Sequence, residues 1–254
     1  MSTAVNSSNA LREEFDSLPS ASSLGLTRIV HEAAVDSTMD IAHALAAQGE
    51  AAGAMVIADR QRAGRGRGGH RWTSENDHGL WFTLVERPTD QRVVGVLALR
   101  LGLALSEGLA PFVDAPVMLK WPNDAYVGAG KISGVLVEAR WRDATVDWVA
   151  IGVGINRRVP SDFPFASAVR AGVSRAELLT AIIPRVRAAA AKSGLLDAAE
   201  LAAWRSRDYA LGRRIREPRT GVVEGIDPSG ALLVARSPGA LPVHVHAGSL
   251  VFDD

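Results

Sequence analysis

Apolar and polar residues follow two rhythms along this chain, and the changes between them mark its elements. Residues 54–58 form a short apolar run bounded by Gly53 and Asp59, and residues 80–85 form another; both predict buried, neighbouring strands. Residues 28–32 predict an extended lead-in to Asp36-Ser37-Thr38. Asp40 follows Ser37 at capping-box spacing, so the alanine-rich stretch to Gln48, before Gly49, predicts a helix. Residues 92–109 have the length and two-faced pattern of a second helix, with Pro111 and Pro116 as breakers beyond its end. Residues 117–120 predict a strand. Residues 134–141 and 146–153 predict a hairpin turned at Arg142-Asp143-Ala144. Residues 174–192, capped by Ser174 with Glu177, and residues 198–205 predict further helices. This irregular alternation predicts an α+β fold, a mixed or antiparallel sheet with flanking helices.

After Tyr209 the texture changes. Val222, Val223, Ile226, Leu232, Leu233, Val234, Val243 and Val245 sit in short runs separated by Asp227-Pro228-Ser229-Gly230 and Ser237-Pro238-Gly239. That spacing predicts a small β-barrel of about 45 residues, a size that leans on a larger domain for support. The expected organisation is a flexible tail over 1–25, a main domain over 26–207 and the small barrel over 208–254.

Composition narrows the function. The chain has 254 residues, 28 Lys plus Arg against 28 Asp plus Glu, and no cysteine. Overall neutrality gives no pull toward nucleic acid or a membrane surface. The lack of thiols removes disulfides, thiolate catalysis and thiolate zinc sites, and fits a reducing cytoplasm. No apolar run approaches the roughly 20 residues of a bilayer crossing. Before residue 24 there is neither a signal-peptide pattern nor the roughly 50 residues an N-terminal DNA-binding domain needs.

The densest chemical signal is the run from Asp59 to Trp72, where arginine alternates with glycine just after a predicted buried strand. Glycines let backbone N–H groups approach a ligand, and arginine supplies forked, permanent donors for carboxylate or phosphate. The same residues also suit a solvated loop or loose RNA binding. A second signal is Lys120-Trp121-Pro122-Asn123-Asp124 with Gly128-Ala129-Gly130-Lys131-Ile132-Ser133-Gly134. It fails as a P-loop because Ala125 replaces the first glycine and Ile132 the hydroxyl. A third, Gly152-Val153-Gly154-Ile155-Asn156, fails as a dinucleotide fingerprint because Arg157 stands at the last glycine position. Asn156 suits either a nucleotide contact or a turn. The histidines are scattered, and neither H-E-x-x-H nor G-x-S-x-G occurs.

Taken in order, Ser37-Thr38, Gly64-Arg65-Gly66-Arg67 with Trp72, Lys120 to Asp124, Lys131 with Gly134, and Gly152 to Asn156 resemble the biotin protein ligases, from about Ile29 to Phe252. The segment around Gly225 to Leu232 resembles that family's SH3-like barrel. The resemblance implies a class II aminoacyl-tRNA synthetase-like catalytic domain without a DNA-binding domain. It also implies the reaction: biotin attacks the α-phosphorus of ATP, and the acyl-adenylate is then attacked by a lysine of a biotin carboxyl carrier protein. By the same resemblance, Lys131, Arg67 and Arg65 are catalytic. Ser37, Thr38, Gln61, Arg65, Gly66, Arg67, Lys131 and Gly134 bind biotin; Arg65, Trp72, Asn123, Lys131 and Asn156 bind ATP; and Asp124 is the candidate for Mg²⁺.

Two departures stand out. Met39 occupies the position where the family usually has asparagine, removing a polar contact, and Gly68-Gly69-His70 replaces a more basic continuation of the loop. Such glycines make the loop costly to order, and it is expected to become ordered only when biotin or adenylate binds. The competing readings are a lipoate or octanoate ligase or transferase of the same superfamily, and a nucleic-acid-binding module using Arg60 to Arg71. Neutral charge and the lack of interleaved aromatics speak against the latter. The resemblance leaves room for a homodimer, with neither nucleic acid nor membrane as a partner.

Overall fold

The computed structural model describes residues 18–74, 78–161, 163, 165–237 and 239–253. Its centre is a seven-stranded sheet in the order β1-β2-β3-β7-β6-β5-β4. The strands are β1 (Arg28–Glu32), β2 (Ala54–Ala58), β3 (Gly79–Glu86), β4 (Val117–Lys120), β5 (Asp124–Val127), β6 (Gly130–Arg142) and β7 (Thr145–Asn156). β1 and β2 run parallel, joined by helix α1 (Thr38–Ala47), and the remaining neighbours are antiparallel. The sheet is therefore mixed, as the sequence led us to expect.

β2 shows why the central strands are apolar throughout. Successive side chains point to opposite faces. Ala54 and Val56 pack with Ala42 and Ala46 of α1, while Met55 and Ile57 enter the main core. That core lies under α2 (Leu97–Leu109) and α3 (Arg175–Ala190), and α4 (Ala198–Arg205) closes its end with the buried Trp204.

Several local expectations need correction. The helix expected over 92–109 is broken: Gln91–Gly95 is a 3-10 turn, and Val96, at φ −110° and ψ −4°, separates it from α2. α2 is buried almost all round, Arg100 included, because it is wedged between the sheet, α3 and α4. Arg100 meets this by donating to Glu200 and to the Gly194 and Leu195 carbonyls. At α1, Ser37 accepts from the Met39 N–H, and the Asp40 carboxylate turns to Arg65 instead of completing a capping box. The box does form at Ser174 with Glu177, and another forms at Asp197 with Glu200. β5 was not foreseen. Most of the expected tail, 1–17, lies outside the described residues, but Leu24 is buried in the core, so the packed chain begins before residue 25.

The C-terminal segment forms a five-stranded antiparallel sheet in the order β11-β10-β9-β8-β12. Its strands are β8 (Arg214–Glu217), β9 (Gly221–Ile226), β10 (Leu232–Ala235), β11 (Val243–Val245) and β12 (Val251–Phe252). Ile215, Val223, Leu232, Val234 and Leu250 join the same apolar core as the main sheet. Trp121 Nε1 donates to the Gly230 carbonyl at 3.0 Å, tying the two sheets together. Among the described residues no helix is long and apolar enough to cross a membrane.

Candidate functional site

A groove of about 290 Å³ crosses the face of the main sheet beside α1, and its floor is made by absent side chains. Gly134 on β6 is paired with Gly154 on β7, and Gly152 lies two residues before Gly154 on the same face. A Cβ at Gly154 would lie 2.4 Å from the Trp72 indole, one at Gly134 2.9 Å from it, and one at Gly152 3.0 Å from the Met39 sulfur. The glycines thus seat Trp72 and Met39 against the sheet. Trp72 Nε1 lies on the edge of the indole that rests against Gly154, buried and with no hydrogen-bond partner among the described residues.

At one end stand Ser37 and Thr38, both buried, at the N-terminus of α1. The Thr38 N–H donates to Gln61 Oε1 at 2.9 Å, and its hydroxyl lies 3.2 Å from the same oxygen and 2.8 Å from Thr83 Oγ1. Gln61 Nε2 donates to Ser74 Oγ at 3.0 Å. This connected set holds its polar groups in fixed orientations, as recognition of a small polar ring requires. Met39, 3% exposed, brings an apolar wall into the same groove.

The arginine-glycine segment is the roof. It folds back on itself: the Gly66 N–H donates to the His70 carbonyl, the Trp72 N–H to the Gly64 carbonyl, and residues 67–69 make a 3-10 turn with Gly68 at φ 61° and Gly69 at φ 79°. Arg65 is exposed and Arg67 half-buried, and both line the groove. Arg65 is ion-paired with Asp40 and lies 3.6 Å from Glu138. Glu138 in turn meets His43 Nε2 at 2.9 Å, and because His43 Nδ1 accepts from Trp148, the Nε2 carries the proton. Arg67 donates to the Gly248 carbonyl, and burial lowers its pKa while the charge of Asp124 opposes this. Beneath the loop the groove opens into a wider space of about 760 Å³ beside Val94, Ala98 and β6.

At the far end Lys131 Nζ lies 2.7 Å from Asp124 Oδ1 and 5.0 Å from the centre of the Trp72 ring. The structure thus brings Ser37, Thr38, Gln61, Arg65, Gly66, Arg67, Trp72, Asn123, Asp124, Lys131 and Gly134 to one groove. Asn156 is the exception. It ends β7, buried, where its amide donates to the carbonyls of Lys131 and Ser167, so it fixes the backbone of Lys131 and caps no turn. Asn123 lines the groove but spends its amide on the Val135 carbonyl. Asp124 does not fit a resident magnesium site: it is a single carboxylate already paired with Lys131, and no metal-binding group of His, Cys, Asp or Glu occurs among the described residues. The sequence reading missed Asp40, Thr83, Ser74, Glu138 and Ser249. Thr83, Glu138 and Ser249 reach the site from distant segments without a local signal, whereas Asp40 and Ser74 adjoin predicted site residues, and the local signal of Asp40 was for a helix cap.

Residues 32–156 match the model of the Biotin/lipoate A/B protein ligase family. A biotin acetyl-CoA-carboxylase ligase of Paracoccus denitrificans is 34% identical over 214 residues, 74% of this chain and 86% of that one. A bifunctional ligase/repressor of Bacillus subtilis is 34% identical over 138 residues, 54% of this chain but 42% of that protein. This chain therefore spans less than half the length of the Bacillus relative in that match. In three dimensions the chain is similar to the biotin protein ligase of Aquifex aeolicus, in complex with biotin and ATP. The TM-score is 0.72 with 28% identity over 89% of this chain and 98% of that one. Sheet and flanking helices thus fall within one class of α+β ligase structures. The chain belongs to the biotin protein ligases, within the biotin/lipoate A/B protein ligase family.

Proposed function

We propose that this chain uses ATP to convert biotin to biotinyl-5'-AMP and passes biotin to the acceptor lysine of a biotin carboxyl carrier domain. The observation that carries this is one groove with a fixed hydrogen-bonding set at one end and Arg67 with Lys131 at the other, under a stacking indole. The first step brings a carboxylate against a polyphosphate, and like charges at contact distance repel by several kcal/mol at reduced dielectric. Arg67 and Lys131 supply the compensating charge. No protein nucleophile is needed, so positioning and electrostatic stabilisation carry the rate.

In this reading the Ser37–Thr38–Gln61 end holds the biotin ring, Trp72 stacks on the adenine, and Lys131 bridges carboxylate and α-phosphate. Arg65 acts through its ion pairs with Asp40 and Glu138 by holding the roof down. Magnesium enters with the nucleotide, and no step is assigned to it. Asp124 keeps Lys131 extended toward the reacting groups and is the nearest acceptor for a proton from the incoming lysine amine.

We read the main sheet as a class II synthetase-like catalytic domain over 26–207, and the C-terminal sheet as an SH3-like module that steadies it. Beyond Val135, whose N–H and carbonyl bond to Asn123, β6 is paired only with β7 among the described residues, leaving an open edge. A carrier domain fits that edge by strand addition, and a second copy would compete for it as a homodimer. Absence of cysteine suits a cytoplasmic enzyme.

Pyrophosphate release from MgATP, measured with biotin, lipoate and octanoate in turn, tests the proposal. Release with biotin alone, followed by label on a carrier lysine, supports it; release with lipoate or octanoate instead assigns the chain to a different acid.

A further inference from the structure

His43 lines no part of the groove, yet it belongs to a closed circuit of contacts that ends on the roof. Asp40 and His43 are three residues apart on α1 and so share one face of it. Asp40 pairs with Arg65 of the roof. His43 turns to the sheet, where its Nε2–H donates to Glu138 Oε2 at 2.9 Å, and Glu138 Oε1 lies 3.6 Å from Arg65 Nη1. Helix, strand and loop are thereby joined through Asp40, Arg65, Glu138 and His43. The Asp40–Arg65 pair is the exposed end of this circuit, with side chains 60% and 36% exposed, whereas His43 is 15% exposed and marks the anchored end.

The anchor is Trp148. Its Nε1 donates to His43 Nδ1 at 3.0 Å. The indole is buried on β7 against Ala42 and Ala46 of α1, and the Arg87 guanidinium lies 5.8 Å from its ring centre, itself held by Asp147 and the carbonyls of Ala46 and Glu50. An indole N–H can only donate, so it admits the imidazole with Nδ1 bare and the proton on Nε2, and that proton is aimed at Glu138. Glu138 is paired with Ala150, two residues from Trp148, so carboxylate and indole stand on the same face of the sheet as Gly134 and Gly154. A half-exposed carboxylate is free to turn to water; a fixed donor on one of its oxygens leaves the other facing Arg65.

We propose that His43 is a positioning residue for the roof: it carries the orientation of the Trp148 N–H through to Glu138, aims that carboxylate at Arg65, and so sets how long the roof stays closed over the acyl-adenylate. This rests on the acid-activating reading of the groove. Between the two steps the intermediate is lost whenever the roof opens and water enters or the intermediate leaves. His43 therefore governs retention and not bond making, since it reaches neither the carboxylate nor the phosphate and acts only through Glu138 and Arg65.

Two measurements on the full chain test this. Tryptic cleavage of the ligand-free loop reads the clamp alone, and the rate at which acyl-adenylate formed from biotin and MgATP escapes the protein reads its consequence. His43→Asn keeps an acceptor for Trp148 but is too short to reach Glu138, whereas His43→Gln reaches Glu138 with an N–H donor. His43→Asn is expected to speed loop cleavage and adenylate escape by up to about fivefold, the scale of one exposed ion pair, with the single-turnover rate of pyrophosphate release unchanged. His43→Gln should stay near the parent in both readouts. In a Glu138→Gln background His43→Asn should add nothing, because its effect runs through that carboxylate. Unchanged cleavage in folded His43→Asn, equal loosening by Asn and Gln, or an effect that adds to that of Glu138→Gln would overturn the proposal. If His43→Asn fails to fold, Trp148→Phe decides: removing the N–H that sets the imidazole must loosen the loop. Failure of every acid to release pyrophosphate sinks the ligase reading, while cleavage of the ligand-free chain judges the clamp separately.

Discussion

The Trp72 indole rests against the backbone of Gly154, so close that a single methyl group at 154 would lie 2.4 Å from the ring. Gly154→Ala is therefore expected to lift the indole out of its seat rather than to open a cavity. Overpacking of this kind costs about 1–3 kcal/mol, and here it falls on the groove. The change should weaken ATP binding and alter Trp72 fluorescence. Unchanged affinity would show that the indole does not seat the nucleotide.

Lys131 is placed by the Asn156 amide at its carbonyl and by Asp124 at its ammonium. Lys131→Ala should lower kcat for pyrophosphate release by about 10²- to 10³-fold, the effect of removing one preorganised charge-stabilising donor. Asn156→Ala should lower it less, because the ammonium remains. Both are read in single-turnover assays with biotin.

Asp40 and Glu138 hold Arg65, and the loop carries its own reporter because trypsin cleaves after arginine. Exposed ion pairs are worth roughly 0.2–1 kcal/mol each, so Asp40→Asn and Glu138→Gln should each speed loop cleavage by up to about fivefold. Biotin should slow cleavage and loop amide exchange in the parent chain. If ligand leaves both unchanged, the loop is not ordered by binding.

Arg100 and Glu200 form a buried pair at 2.8 Å between α2 and α4. Burial alone would raise the Glu200 pKa, but hydrogen bonds from Arg100, the Asp197 N–H and Lys192 outweigh it and hold it at about 2. A depressed carboxylate pKa stabilises the fold at neutral pH, by about 3 kcal/mol here, and that contribution is lost as pH falls through the unfolded value toward 2. Acid unfolding of Glu200→Gln should show a flatter pH dependence in that window. Arg100→Met, which strands the carboxylate, should cost about 3–5 kcal/mol.

Much of the scaffold was legible in the sequence because it depends on neighbours in the chain. The apolar run at 54–58, the Ser174–Glu177 box and the helix over 198–205 are local patterns, and they appear as β2, α3 and α4. The arginine-glycine run suggested an anion site by residue chemistry, whereas the role expected of Lys131 came only from the family resemblance. The break at Val96 was not legible, because two-faced periodicity cannot show that α2 is covered on nearly every side. What only the tertiary structure decided is who meets whom. Asp40 chooses Arg65 over its own helix cap, Asn156 serves Lys131 instead of a turn, and Lys120 comes beside Arg213, because sheet register and the docking of the C-terminal sheet set those distances. Side-chain partners far apart in sequence are fixed by packing of the whole chain, and no local pattern encodes them.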